Sequence, residues 1–138
     1  MSVSLEDNLT LNEIIQICKK VKQENIEVIR DNIIRPKTVE FLEKYELSDE
    51  DVANIIHSLS ESDYYLGPEE DTNPKYKHPF WIFVKFIKNI KVNVYIKIKI
   101  INHHRKVVVF SIHEEGNYEL WKKKKHIVKF VISMLITM

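Results

Sequence analysis

Between Val92 and Ile101 the chain alternates Val94, Ile96, Ile98 and Ile100 with Tyr95, Lys97 and Lys99. A period of two is the pattern of a strand with one buried face, so a phenol and two ammonium groups are predicted to share the opposite face. His113 ends the next apolar stretch. Its imidazole titrates near pH ~6.5 when unperturbed and can take or give a proton at neutral pH. Such a set suits acid–base chemistry on an anionic substrate. Each residue also has a plainer explanation. A sheet tyrosine normally packs with its hydroxyl wet, lysines are what a half-exposed strand displays, and a histidine at a strand end is commonly a surface or capping residue. Tyr65 and Trp81 offer flat faces for stacking, although core or edge packing is the commoner use of such rings.

These residues are positioned by a predicted meander. Phe80 to Ile87, Val92 to Ile101 and Lys106 to His113 read as three successive strands, connected near Asn89 and through the polar turn Asn102 to Arg105. In the last strand, Val108, Phe110 and Ile112 are predicted on one side, with Val107, Val109, Ser111 and His113 on the other. Upstream, Leu11 to Lys22 has helical spacing, with Thr10 or Asn12 as cap. A second helix is predicted from near Ile26 to Tyr45, broken before Pro36. A third starts at Ser48 with acids in its first turn and turns Val52, Ile55, Ile56 and Leu59 inward. Ser60 to Asp63 reads as a turn, Tyr64 to Leu66 as a short strand, and Gly67 to His78 as a polar loop. The order predicts an α+β fold with amino-terminal helices packed on an antiparallel β-sheet. Residues 1–117 form the predicted domain, and residues 118–138 a basic and apolar carboxy-terminal tail.

A chain of 138 residues is enough for one hydrophobic core. Lysine and arginine number 21 against 20 acids, a balance that excludes a polycation coating nucleic acid without preference. Acids gather before Asp71 and lysines after it, leaving the strand region positive. The single cysteine, Cys18, forms no intrachain disulfide, which fits a reducing compartment. There is no signal-peptide pattern, and the apolar run from Val128 falls short of the roughly 20 residues that span a bilayer. A cytoplasmic protein without a membrane partner is expected. Two glycines leave no room for a glycine-rich phosphate loop. His103 and His104 are adjacent in a turn and point apart, with no acid or cysteine to complete a set with His113. No metal and no cofactor are therefore expected. Lys122 to Lys125 reads as a solvated run that could also meet phosphates.

The stretch Asn54-Ile55-Ile56-His57-Ser58-Leu59-Ser60-Glu61-Ser62-Asp63-Tyr64-Tyr65 resembles the motility quorum-sensing regulator (MqsR) toxins. The similarity continues in order through Trp81, Val94 to Ile98, and Val107 to Glu115, covering roughly Ile29 to Glu115. Leu66-Gly67-Pro68 with Asp71 is similar to a subgroup in which glycine and proline follow the tyrosine pair. The resemblance implies a RelE-like ribonuclease fold and an mRNA interferase of a type II toxin–antitoxin pair. It further implies a cognate antitoxin with a zinc-binding domain and a helix-turn-helix domain. Related toxins carry lysine where this chain has Leu66, glutamine at Ile82 and lysine at His113, while Tyr95 is retained.

Cutting single-stranded mRNA without a metal needs a group to take the 2′-hydroxyl proton, one to protonate the leaving 5′-oxygen, and cations for the phosphate. Tyr95, His113 and Lys97 are the candidate catalytic residues. Tyr65, Trp81, Lys85, Lys99 and Arg105 are the candidate substrate contacts, the aromatics by base stacking. Glu114 and Glu115 could orient the imidazole or simply solvate the strand end. The competing expectation is a noncatalytic module on the same fold that binds nucleic acid or protein.

Overall fold

The computed structural model describes residues 8–73 and 77–116. The expectation for the tail at 118–138 lies outside them. Three helices precede a four-stranded antiparallel meander, and a short early strand completes a five-stranded mixed sheet in an α+β fold.

The first helix, α1 (Leu11–Lys20), starts where the capping logic requires. Thr10 Oγ1 accepts from the Glu13 amide at 3.2 Å, and the Glu13 carboxylate accepts from the Thr10 amide at 3.1 Å. Its apolar stripe buries Ile14, Ile15 and Cys18. Burial pushes the Cys18 thiol up to about 12, so it is inert.

The predicted helix from Ile26 is corrected. Ile26–Val28 is a strand, β1, parallel to Val107–Val109. The β-branched residues alternate around Glu27, and an open sheet edge satisfies their backbone groups better than an isolated helical turn would. Asp31 then closes a tight turn by accepting from the amides of Ile33 and Ile34 at 2.8 and 3.1 Å. Both isoleucines are left in solvent. Helix α2 (Pro36–Lys44) begins only at the proline, where a missing N–H costs nothing.

Helix α3 (Asp49–His57) has the expected start, a capping box between Ser48 and Asp51. Val52, Ile55 and Ile56 are buried on it, and Leu59 just beyond it. A short turn at Glu61–Asp63 leads into β2 (Tyr64–Glu69), which runs past Leu66 into the stretch from Gly67 that the sequence predicts as loop. Gly67 sits at φ +136°, and a Cβ there would lie 2.8 Å from the Phe80 carbonyl oxygen. Only glycine lets β2 approach β3 this closely.

Strands β3 (Phe80–Ile87), β4 (Val92–Ile101) and β5 (Lys106–Glu114) complete the meander begun by β2, and the sheet order is β1-β5-β4-β3-β2. The register slips in β5: Lys97 pairs with Ser111, but Ile98 pairs with Val109, leaving Phe110 as an extra residue. This bulge corrects the predicted sides of β5. Val107, Val109 and Ile112 all face the helices, and Phe110 instead packs edge-on against Phe80 at 5.1 Å. The helix-facing core joins Ile14, Phe41, Ile56, Trp81, Phe83 and Ile96. The opposite face is not open throughout, since Phe80, Ile82, Val84, Lys99 and Val108 are buried too. Among the described residues, no helix is long and apolar enough to cross a membrane.

Candidate functional site

Register brings the chemistry together in two adjacent rows across the sheet. One row is Val84, Tyr95 and His113; the next is Leu66, Ile82, Lys97 and Ser111. Partners in a row share a face, as do residues two apart along a strand, about 7 Å from each other. The positions singled out by the family resemblance, Leu66, Ile82, Tyr95 and His113, thus fall on neighbouring spots of one surface.

At the centre, the Tyr95 and His113 rings stack with centroids 4.8 Å apart and planes within 15°. His113 Nδ1 lies 3.1 Å from the carbonyl oxygen of Glu114. That contact suits a protonated Nδ1, which would leave Nε2 to exchange a proton. The Tyr95 hydroxyl is held above its ordinary value, first by partial burial and then by Glu69, Glu115 and Tyr65, with Arg35 opposing. Tyr95 is therefore a hydrogen-bond donor through the neutral range, not a base.

Arg35 is the residue that sequence reasoning missed. It occupies the N-cap position of α2, and its Nε is buried without a hydrogen-bond partner among the described residues. Among the described residues, its Nη1 donates to the neighbouring Ile34 carbonyl, at 3.4 Å. The helix is docked by Thr38, whose Oγ1 accepts from the Ile112 amide at 3.1 Å, one residue before His113. Arg35 lies three residues before Thr38, on the same side of the helix one turn earlier. The sequence signal was slight: an arginine directly before the helix-starting proline.

Lys97 is half-buried beside this centre, with Nζ 4.0 Å from the Phe80 ring centroid. Lys99 has a different duty. It is 3 % exposed, donates to Asp71 at 2.7 Å and lies over the Phe80 and Phe110 rings. Asp71 comes from the polar loop, so the pair ties that loop to the sheet, and Lys99 is not presented to a phosphate. Glu114 accepts from Tyr45 at 3.0 Å and from Lys44 at 3.4 Å, so its carboxylate anchors α2.

Three other candidates lie elsewhere. Trp81 is a core residue 4 % exposed, facing Tyr64 on the helix side. Lys85 pairs across the sheet with Val94, on that same helix-facing side, and donates to Asp63 at 3.1 Å. Arg105 belongs to the β4–β5 turn, six residues along the strand from Tyr95 to Ile101 and then beyond, about 20 Å away at ~3.3 Å per residue. Tyr65 lies close enough to influence the Tyr95 phenol. His103 and His104 lie in the turn with Arg105. Among the described residues, no group of three or more histidine, cysteine or acidic side chains is placed to hold a metal ion.

The arrangement can donate a hydrogen bond from a phenol, move a proton at an imidazole and neutralise an anion with Arg35 and Lys97. Comparison with known proteins matches this chain to no family model and to no curated sequence.

Proposed function

We propose that this chain is an endoribonuclease of the MqsR type, an mRNA interferase that cleaves single-stranded mRNA without a metal and is neutralised by a cognate antitoxin. The observation that carries the reading is the stacked Tyr95–His113 pair, with Arg35, whose Nε has no hydrogen-bond partner among the described residues, at the start of the helix docked beside it. The collinear resemblance supports it independently, because its distinguishing positions converge on this face.

In the proposed reaction, His113 takes the proton of the 2′-hydroxyl, whose oxygen bonds to phosphorus as the bond to the 5′-oxygen breaks. The products are a 2′,3′-cyclic phosphate and a 5′-hydroxyl, the latter protonated by the imidazolium or through water. Tyr95 donates to a phosphate oxygen, and Arg35 and Lys97 offset the charge that builds there. Leu66 and Ile82 supply no proton, so His113 bears more of the acid–base work than the lysine of related toxins.

The experiment is single-turnover cleavage of a short RNA by the purified chain in excess chelator. Cleavage is expected to persist, with a cyclic phosphate on the 5′ product. Loss of cleavage with chelator and recovery with one metal ion would sink the metal-free mechanism. The apolar Leu66–Ile82 row, where related toxins are polar, favours the second reading, a noncatalytic RNA-binding module. RNA binding without cleavage under any condition would support that reading.

A further inference from the structure

Outside the Tyr95 centre, several of the described cations line two hollows at the far end of the β4–β5 hairpin. A hollow of about 470 Å³ lies between the end of α1 and the turn, lined by Lys20, Lys22, Asn25, His104 and Arg105 among others. A second, of about 530 Å³, shares Asn25 and Arg105 and adds His78, His103 and Lys106. Both fall in the ~300–1,000 Å³ range of small-molecule sites. No carboxylate lines either one among the described residues. Lys106 is partly neutralised by Glu27 at 3.1 Å, whereas Lys20, Lys22 and Arg105 make no ion pair with a described residue.

The negative end of the α1 dipole accounts for Lys20, in the last turn of the helix. It does not account for Lys22 and Arg105, which lie beyond the helix and converge on the same hollow from different parts of the chain. Like charges brought together without a counter-charge repel, and an anion is their natural complement. The turn presents Arg105 through three successive left-handed residues, Asn102, His103 and His104, conformations that asparagine and histidine tolerate better than most. His104 Nε2 is buried without a hydrogen-bond partner among the described residues, at the wall of the first hollow. The described carboxylate that senses His104 is Glu13, already closed into the Thr10 capping box.

We propose that these adjoining hollows form a phosphate-binding site, separate from the Tyr95 centre, in which Lys22 and Arg105 grip the anion and Asn25 hydrogen-bonds it. The ligand is a phosphate group, carried either by an RNA strand or by a small phosphate compound.

The test uses the full chain and two probes. Inorganic phosphate, titrated against chloride at equal ionic strength, is expected to shift the amide resonances of Lys22, Asn25 and Arg105 saturably. The double variant Lys22→Ala, Arg105→Ala should weaken that binding at least tenfold while keeping the wild-type urea midpoint, since both side chains are exposed. In the second arm, a labelled single-stranded RNA is bound across salt concentrations. If the strand supplies the phosphates, the variant's dependence of log affinity on log salt should be shallower by about 1.4, roughly 0.7 for each of two lost contacts. An unchanged slope beside a lost phosphate titration would support the site with a small phosphate compound as ligand. Absence of any saturable shift with phosphate would overturn the proposal. Neither arm needs cleavage, so a catalytically silent protein leaves the test intact.

Discussion

Thr38 Oγ1 accepts the amide proton of Ile112 at 3.1 Å, and both residues are buried. One hydroxyl thereby does for β5 what a neighbouring strand would do, because β1 pairs only as far as Val109. It also fixes the helix that begins beside Arg35 against the strand that carries His113.

Replacing Thr38 with valine keeps the shape and removes the acceptor. The Ile112 N–H is then buried and unsatisfied, a loss expected to cost about 1–3 kcal/mol. Urea unfolding measures this directly, and Thr38→Ser should recover most of it. If valine is as stable as threonine, the helix is held by packing alone.

In the proposed reaction, His113→Ala should slow the cleavage step roughly 100- to 10,000-fold, and Arg35→Ala roughly 100- to 1,000-fold. Tyr95→Phe should also slow it. His113→Lys should keep some activity through charge. Because the Tyr95 phenol is raised above 10.0, any alkaline loss due to its ionisation should lie above that value. His103→Ala and His104→Ala should change the rate little. Single-turnover rates across pH check all of these, and a His113→Ala variant as fast as wild type would remove histidine from the mechanism.

The Asp71 carboxyl is held below its ordinary 3.8, chiefly by Lys99 and then by the Asn73 amide. The folded state therefore releases this proton more readily than the unfolded chain. The resulting stability is present above pH 3.8 and is lost as pH falls through the lower folded value. Asp71→Asn should lower the urea midpoint at pH 7, and the gap to wild type should narrow in strong acid. A gap that stays constant across this range would show that the ion pair contributes nothing through ionisation.

Gly67→Ala places a methyl 2.8 Å from the Phe80 carbonyl oxygen at a φ that side chains avoid. A destabilisation of roughly 1–3 kcal/mol is expected from the backbone strain, with the steric contact adding to it. Thermal unfolding of the variant checks this, and an unchanged midpoint would mean that β2 can move away from β3 freely.

Local chemistry made several elements legible from the sequence. The capping residues Thr10 and Ser48 act within one turn of themselves, and the alternation of β4 is a property of the strand alone, so α1, α3 and the shared face of Tyr95 and Lys97 could be read directly. Interactions between distant segments decided the rest. Ile26–Val28 became a strand because β5 offered an edge, which no local pattern reveals. One extra residue at Phe110 reversed the sides of half of β5, since a period-two pattern loses its phase at any bulge. The facing of Trp81 and Lys85 toward the helices follows from cross-strand register. Lys99 and Asp71 meet across 28 positions of sequence, and Arg35 comes to the Tyr95–His113 face because its helix docks on β5 through Thr38 and Glu114. Types of group were written in the chain; which of them meet was decided by pairing and packing, whose free energy depends on segments far apart in the sequence.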